Sequence, residues 1–200
     1  LYEDSIRVPL IISGPGIPAG MVVDEPVSLI DVYPTINEAL GLDRFVFARG
    51  CSLMGLARGE KNADKPGFVF CESNMYPRIS GSFAIRYKEW KLIEYADRDP
   101  MLFNLKEDPQ ELDNLVETDM HSQVVRKALG KLREMLSSVC SPQAVDRRAR
   151  DDQKRRREEF LRSGILFREL ARRGYAPDVD RLIYIGKEGK DRTIEKGQAE

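Results

Sequence analysis

The sequence contains a single histidine, and this scarcity limits the chemistry that the chain can perform. His121 stands alone among 200 residues, so a metal site with several histidine ligands cannot be assembled. The cysteines Cys51, Cys71 and Cys140 are odd in number, far apart and without a C-x-x-C pair. This spacing argues against a disulfide framework and a zinc site, and each cysteine is interpreted as a small, partly buried apolar residue.

The chain also lacks an excess of charge of either sign. With 32 basic and 33 acidic side chains, it has no overall field that would attract nucleic acid or an anionic membrane. No stretch approaches the roughly 20 consecutive apolar residues of a membrane span, and no signal-peptide pattern opens the sequence. We therefore expect neither a nucleic-acid partner nor a membrane partner. Because the sequence opens on Leu1 without a polar lead-in, we interpret it as part of a longer protein.

The first third of the sequence predicts the end of an α/β layer. The apolar run 8–12 stops at a glycine-rich turn and predicts a buried strand, and 21–23 predicts a second strand-like edge. A helix follows, which Ser28 or Asp31 can cap at its start and Gly41 can end. Asp31 is accordingly interpreted as a helix cap in preference to a metal ligand.

Residues 43–66 predict a loop that joins two structural parts, and the region beyond it predicts a sheet covered by a helix. Short strand patterns lie at 67–71, 82–87, 90–95 and 101–105. Only Lys88 and Glu89 separate the second pattern from the third, which is hairpin spacing. From Asp119 to Val139 apolar residues recur every three or four positions, which predicts an amphipathic helix docked on the sheet.

A turn of helix is predicted after the fourth strand. Asp108 can accept a hydrogen bond from the backbone of Glu111 while Glu111 reaches back, and Pro109 suits the first helical position. This capping box would contribute about 1 kcal/mol to stability.

The last part of the sequence is charged. Residues 143–173 predict a helix, and the stretch after Lys187 is polar and predicted to be disordered. Between Arg147 and Arg162 there are eight basic and four acidic side chains. Because acidic groups can pair with basic ones along the helix, we favour a solvated arm or a contact in a homo-oligomer over nucleic-acid binding. The predicted domains are therefore 1–66, 67–141 and 142–200.

Several short pieces of the sequence, in order, resemble the run that follows the active-site lysine in type I sulfatases. They are Tyr2-Glu3, Arg7–Ile11, Gly14–Gly16, Val27–Asp31 and Tyr33–Thr35. Further pieces resemble the family's glycine-x-serine-leucine linker and its C-terminal signature: Gly50–Leu53, Tyr87–Ile93, Leu102–Leu105, Asp108-Pro109, Glu111 and Asn114-Leu115. Together they cover residues 1 to about 115.

The resemblance implies an α/β fold of the alkaline-phosphatase superfamily. The chain would hold the end of its α/β sandwich, followed by a small α+β subdomain with a four-stranded antiparallel sheet packed by a long helix, and then a charged helical extension. It also implies a sulfuric ester hydrolase, in which a formylglycine made from a C/S-x-P-x-R motif attacks sulfur and a divalent cation, usually calcium, polarises the sulfate. No cysteine here lies in that motif. We therefore expect the nucleophile and the calcium ligands upstream of Leu1, and the chain alone to be inactive.

The loop after the first predicted strand is the candidate for contact with substrate. Glu72, Tyr76 and Arg78 bring polar groups and an aromatic ring together, and in sulfatases this region can reach the rim of the active site. The alternative is a solvated loop. Arg7 is interpreted as an ion-pair partner of a neighbouring acid, Glu3 or Asp4, in preference to an anion-binding residue.

The expected substrate is a sulfated small molecule or a sulfated carbohydrate. Two alternatives stay open: a phosphodiesterase or phosphonate hydrolase of the same superfamily, and a noncatalytic interaction module that acts through the helix at 143–173. An upstream C/S-x-P-x-R motif would favour the sulfatase, and paired zinc-type ligands would favour the phosphodiesterase.

Overall fold

The computed structural model describes residues 1–43, 47, 49–60, 67–74, 80–162, 183–185 and 191–193. The chain falls into two compact units, Leu1–Ala149 and Arg150–Glu200. Each unit is described by itself. The predicted domain boundaries at 66 and 141 stay predictions.

A four-stranded antiparallel sheet dominates the first unit. Its strands, in spatial order, are β1 (Val69–Ser73), β2 (Ser82–Tyr87), β3 (Trp90–Tyr95) and β4 (Met101–Asn104). Tyr87 lies opposite Trp90, and the two-residue turn between them places Lys88 at a φ of 51°. The predicted sheet and hairpin are therefore confirmed.

One face of this sheet is covered by a long helix, α5 (Gln123–Val139), which confirms the predicted docking helix. The Ser122 hydroxyl accepts a hydrogen bond from the backbone of Val125 and so caps the helix start. Every second residue of a strand points to the same face of the sheet, and residues three or four positions apart lie on the same face of a helix. One set of alternating sheet residues therefore packs against the apolar stripe of α5. The buried core consists of Phe83, Ile85, Leu92, Leu102, Val125, Ala128, Leu129, Leu132 and Leu136.

The opposite face of the sheet packs against the beginning of the chain. Buried Ala84, Ile93 and Phe103 contact Leu1, and the ring of Tyr2 lies 6.1 Å from that of Phe103, centroid to centroid. The short helix α1 (Glu3–Ile6) follows at once. The sheet is thus covered on both faces.

The two strands predicted near the beginning of the chain are wrong. Residues 8–12 and 21–23 have no regular structure, and Ile11 and Val22 are 90% and 81% exposed. A strand needs a hydrogen-bonded neighbour, and no strand among the described residues pairs with either segment. The apolar pattern is typical of a strand, but its pairing partner is not in the described structure.

The predicted helix is confirmed as a 3-10 turn, Leu29–Asp31, that leads into α2 (Val32–Ala39). Gly41 follows the helix with a φ of 65°, a conformation that suits glycine. The loop predicted at 43–66 contains a short helix, α3 (Met54–Ala57), whose apolar side chains are largely buried. That prediction is therefore wrong at α3, because burial of these side chains stabilises a helical turn.

The capping box predicted at Asp108 is wrong. Residues 108–111 form a turn and not a helix, and Glu111 has a left-handed φ of 57° that is incompatible with a helical turn. The Asp108 carboxylate accepts instead from the backbone of Asp113, at 3.0 Å. A short helix, α4 (Leu115–Thr118), begins later, after Asn114.

The charged helix is confirmed as α6 (Pro142–Arg162), while 163–173 lie outside the described residues. Within the second unit, β5 (Ile183–Ile185) pairs antiparallel with β6 (Asp191–Thr193). The disorder predicted after Lys187 is thus wrong at β6. The Ile-Tyr-Ile sequence of β5 favours a strand, and backbone pairing with β5 organises even a polar segment.

Candidate functional site

Of the three residues predicted to face a substrate, the structure describes only Glu72. Its side chain is exposed on the edge strand β1, and it lies opposite Phe83 of β2. Tyr76 and Arg78 lie outside the described residues. The predicted substrate contact therefore stays a prediction.

Residues on either side of 75–79 are described, and Gly81, on the far side, is held by a contact with α6. At its far end the backbone N–H of Gly81 donates to Oδ1 of Asp146, at 2.6 Å, and Asp146 is 8% exposed on α6. A Cβ at Gly81 would overlap Oδ1 of Asn74 and crowd the ring of Phe83. Glycine at 81 and aspartate at 146 together fix the backbone immediately before β2.

A buried ionic cluster lies under the opposite sheet face. The ammonium of Lys91 is fully buried, 3.0 Å from Oε1 of Glu3 and 2.7 Å from Oε1 of Glu111. Oε2 of Glu111 also accepts from the backbone N–H of Glu3, at 2.5 Å. The cluster joins the beginning of the chain, the central hairpin and the turn after β4. We call these three residues the Lys91 cluster.

Arg86 is half-buried next to the Lys91 cluster, directly opposite Lys91 in the β2–β3 register. Burial lowers the pKa of its guanidinium, the charges of Glu3 and Glu111 raise it, and the charge of Arg7 lowers it. Its Nη1 atom has no hydrogen-bond partner among the described residues. On this sheet face Lys91 is thus paired with two acids, whereas Arg86 keeps one guanidinium nitrogen that makes no hydrogen bond to a described residue.

Asp31 closes a capping box with Ser28 at the start of the 3-10 turn, so a capping role is confirmed there, but its side chain caps no N–H group of α2. Its Oδ2 accepts from the backbone of Ser28, at 3.0 Å, and its Oδ1 accepts from the backbone of Cys51, at 2.9 Å. The hydroxyl of Thr35 accepts from the backbone of Leu53, at 2.8 Å. The segment Gly50–Leu53, singled out by resemblance, is thus held against the start of α2 by side chains that satisfy its N–H groups.

The ion pair predicted for Arg7 is not found. Within the described structure, Arg7 pairs with neither Glu3 nor Asp4, because the carboxylate of Glu3 turns inward to Lys91. Its side chain is exposed, where a single ion pair contributes little.

The described residues do not by themselves fit a divalent cation. Across the described ranges, no group of three or more His, Cys, Asp or Glu side chains is placed to hold a metal ion. Among the same residues no helix is both long and apolar enough to span a membrane.

Sequence reasoning missed Asp146 and the Lys91 cluster. In the sequence Asp146 is one acid in a charged helix, and its partner Gly81 lies 65 positions away. The alternating pattern of the β3 strand is enough to explain a lysine at position 91. It gives no sign that the ammonium of Lys91 is buried. No local signal marks either residue, because both depend on contacts between distant segments.

A comparison with protein families decides the relationship of this chain. The family described as N-sulphoglucosamine sulphohydrolase, C-terminal, matches residues 1–138. The chain belongs to this sulfatase family. The match corresponds to the C-terminal portion of a sulfatase, as the short pieces in the sequence predicted.

Curated sulfatases are similar to the same region. Arylsulfatase K of Danio rerio is 36% identical over 121 residues, which is 58% of this chain and 23% of that protein. Arylsulfatase K of Homo sapiens is 36% identical over 124 residues, with the same coverage. Choline-sulfatase of Rhizobium meliloti (strain 1021) is 33% identical over 172 residues, which is 83% of this chain and 32% of that protein. The chain thus spans about a quarter to a third of the length of these relatives.

Solved structures show that the fold is shared with sulfatases and with a related hydrolase. A 2-O GAG sulfatase matches 71% of this chain with a TM-score of 0.56 and 24% identity, over 30% of its own chain. A phosphonate monoester hydrolase from Silicibacter pomeroyi matches 91% of this chain with a TM-score of 0.50 and 21% identity, over 32% of its own chain. The fold therefore does not distinguish sulfatase from phosphonate hydrolase.

Proposed function

We propose that the intact protein hydrolyses sulfuric esters and that this chain supplies the end of its catalytic α/β domain, a C-terminal α+β subdomain and a charged extension. The observation that carries this proposal is the family match over residues 1–138. The confirmed four-stranded sheet and all of α5 except its last residue lie within the matched region, and curated sulfatases are similar to it. Sulfatase is therefore favoured over phosphonate hydrolase.

We further propose that the cation is calcium and that it is bound by the part of the intact protein outside this chain. In support, no metal-binding group is found across the described residues, and no cysteine of the chain lies in a C/S-x-P-x-R motif. A bound cation would offset the negative charge of the sulfate oxygens. The chain itself would contribute scaffold and one wall of the cleft.

The proposed substrate is a sulfated small molecule or a sulfated carbohydrate. Arylsulfatase and choline-sulfatase, the names of the curated relatives, denote hydrolases of sulfuric esters. Because specificity depends on side chains around the whole cleft, the choice within this class belongs to the intact protein.

The proposal predicts a clear difference between two preparations. The intact protein, matured with formylglycine and supplied with calcium, should release the phenol from an aryl sulfate, and the 200-residue chain should not. Phenol release is followed by absorbance, with an aryl phosphonate monoester as the competing substrate. Preferred cleavage of the phosphonate would instead support the alternative hydrolase, and turnover by the chain alone would contradict the assignment of the nucleophile.

The predicted contact of Arg78 with substrate has its own test in the intact enzyme. Arg78→Ala should raise KM for an aryl sulfate by about tenfold or more, because a hydrogen bond to a charged group contributes roughly 1.5–3 kcal/mol. Arg98→Ala is the matched control, since Arg98 is exposed and its guanidinium lies 4.6 Å from the centre of the Tyr95 ring. An unchanged KM in Arg78→Ala, measured by initial rates, would remove Arg78 from the site.

A further inference from the structure

Arg86 carries a guanidinium group that the described structure leaves only partly bonded. Its Nη1 atom is buried and has no hydrogen-bond partner among the described residues. A buried N–H group without an acceptor costs free energy, more so when it is charged, and such groups in native proteins usually bond to protein, water or an ion. The bare nitrogen therefore indicates that a further group belongs next to Arg86.

Arg7 brings a second cation to the same place. It directly follows α1, and its backbone N–H donates to the carbonyl of Glu3, at 2.8 Å. Residues four apart in a helical turn lie on the same side, so Arg7 lies next to Glu3. The carboxylate of Glu3 bonds to Lys91, which lies directly opposite Arg86 in the sheet. The path of the chain thus brings Arg7 towards Arg86, and the charge of Arg7 lowers the pKa of Arg86.

The nearby acids do not neutralise the two arginines. Glu3 and Glu111 are both bonded to the ammonium of Lys91. Glu89 exerts the smallest of the four charge effects on Arg86. Within the described ranges, no carboxylate lies at ion-pair distance from either arginine. Two cations are therefore close to each other without a bonded counter-charge.

We propose that Arg7 and Arg86 form a binding site for a free tetrahedral dianion such as inorganic sulfate. A guanidinium group presents parallel N–H donors that match two oxygens of such an anion, and two guanidinium groups supply the two positive charges that balance it. The anion gives Nη1 of Arg86 an acceptor and reduces the repulsion between the two cations.

The site is open to an anion from solvent. Arg7 is exposed and Arg86 is half-buried. Nη1 of Arg86 is itself buried, so the side chain turns this nitrogen towards the anion on binding, and no hydrogen bond of Nη1 to a described residue opposes the movement. Inorganic sulfate is also the product of the proposed hydrolysis, but the site requires neither the nucleophile nor the cation of the intact protein.

Titration calorimetry of the intact protein with sodium sulfate, at constant ionic strength, tests the site. Arg7→Gln and Arg86→Gln should each weaken sulfate binding at least about tenfold, because each removes a charged hydrogen-bond donor. Arg147→Gln is the matched control: Arg147 is exposed on α6, and its loss should change the affinity less than about twofold. Arg86→Lys keeps the charge and should bind sulfate more tightly than Arg86→Gln, which separates anion binding from a packing defect.

Two further titrations identify the anion. Binding that depends on Arg7 and Arg86 should persist when a chelator removes divalent cations, whereas its loss would assign the sulfate to the cation and overturn the proposal. Methyl sulfate, with one negative charge, should bind at least about fivefold more weakly than sulfate, and equal affinity would overturn the assignment to a free dianion.

An absence of sulfate binding to the unsubstituted protein would also overturn the proposal, since another part of the intact protein would then satisfy Arg86. Full sulfate affinity in both glutamine variants would do the same. No readout uses activity, so failure of the sulfatase assignment alone would leave the binding results intact.

Discussion

Replacement of Lys91 with methionine is expected to lower the free energy of unfolding of the subdomain by about 3–5 kcal/mol. The ammonium of Lys91 is fully buried between the carboxylates of Glu3 and Glu111, of which Glu111 is also nearly fully buried. Removing the cation leaves two acids close together without their counter-charge, and this uncompensated charge accounts for the loss. The measurement is unfolding of the intact protein in urea, followed by a probe in the sheet.

Two further variants separate charge from packing at the Lys91 cluster. Lys91→Met combined with Glu3→Gln and Glu111→Gln should recover part of the stability. The three charges of the cluster are removed together, and the new amide oxygen at position 111 can still accept from the backbone of residue 3. The recovery is partial because half-buried Arg86 loses the two acids that favour its charge. Lys127→Met on the exposed face of α5 is the control and should change stability by less than about 0.5 kcal/mol. A Lys91→Met effect no larger than this control would show that the cluster is not needed for stability.

The Lys91 cluster also shows why part of the fold could not be predicted. The strands and α5 follow from periods of two and 3.6 residues, which are local properties of the sequence. Lys91 and Glu111 are instead joined by the packing of a turn onto the sheet, and Lys91 and Glu3 are separated by 88 positions. A local rule assigns Glu111 to a capping box, and the contact with buried Lys91 overrides that rule.

The beginning of the chain shows a second kind of limit. The run 8–12 has a strand-forming pattern, but a strand exists only when a neighbour satisfies its backbone, and no described strand does so. The role of Asp31 as a cap follows from its position alone. Its second hydrogen bond, from Cys51, could not be predicted, because it requires the Gly50–Leu53 segment to return to the start of α2.

The candidate site was less predictable than the fold for a physical reason. Loops are positioned by contacts with distant elements. The residue types at Glu72, Tyr76 and Arg78 therefore suggest contact with a substrate, but they do not show where these side chains lie relative to an active site. The structure places Glu72 on an exposed edge and fixes the loop end through Gly81 and Asp146. The contact between Gly81 and Asp146 joins positions 65 residues apart, so no local pattern could have predicted it.

Replacement of Gly50 with alanine is expected to destabilise the intact protein by about 2–4 kcal/mol. An added Cβ would overlap the backbone carbonyl of Ile30 and crowd the backbone nitrogen of Asp31. Both obstacles are main-chain atoms, so no side-chain rotation can relieve the overlap. The segment must then move away from α2, which stretches the hydrogen bonds from Cys51 to Asp31 and from Leu53 to Thr35.

The control for this substitution has the opposite expected sign. Gly130 lies inside α5 and has open space where a Cβ would be added, so Gly130→Ala should stabilise the protein by roughly 0.5–1 kcal/mol. Unfolding in urea measures both variants. A double variant of Gly50→Ala with Asp31→Ala should cost less than the sum of the single changes, because both act on the same hydrogen bond. Full additivity would mean that Gly50 acts through something other than its contact with the start of α2.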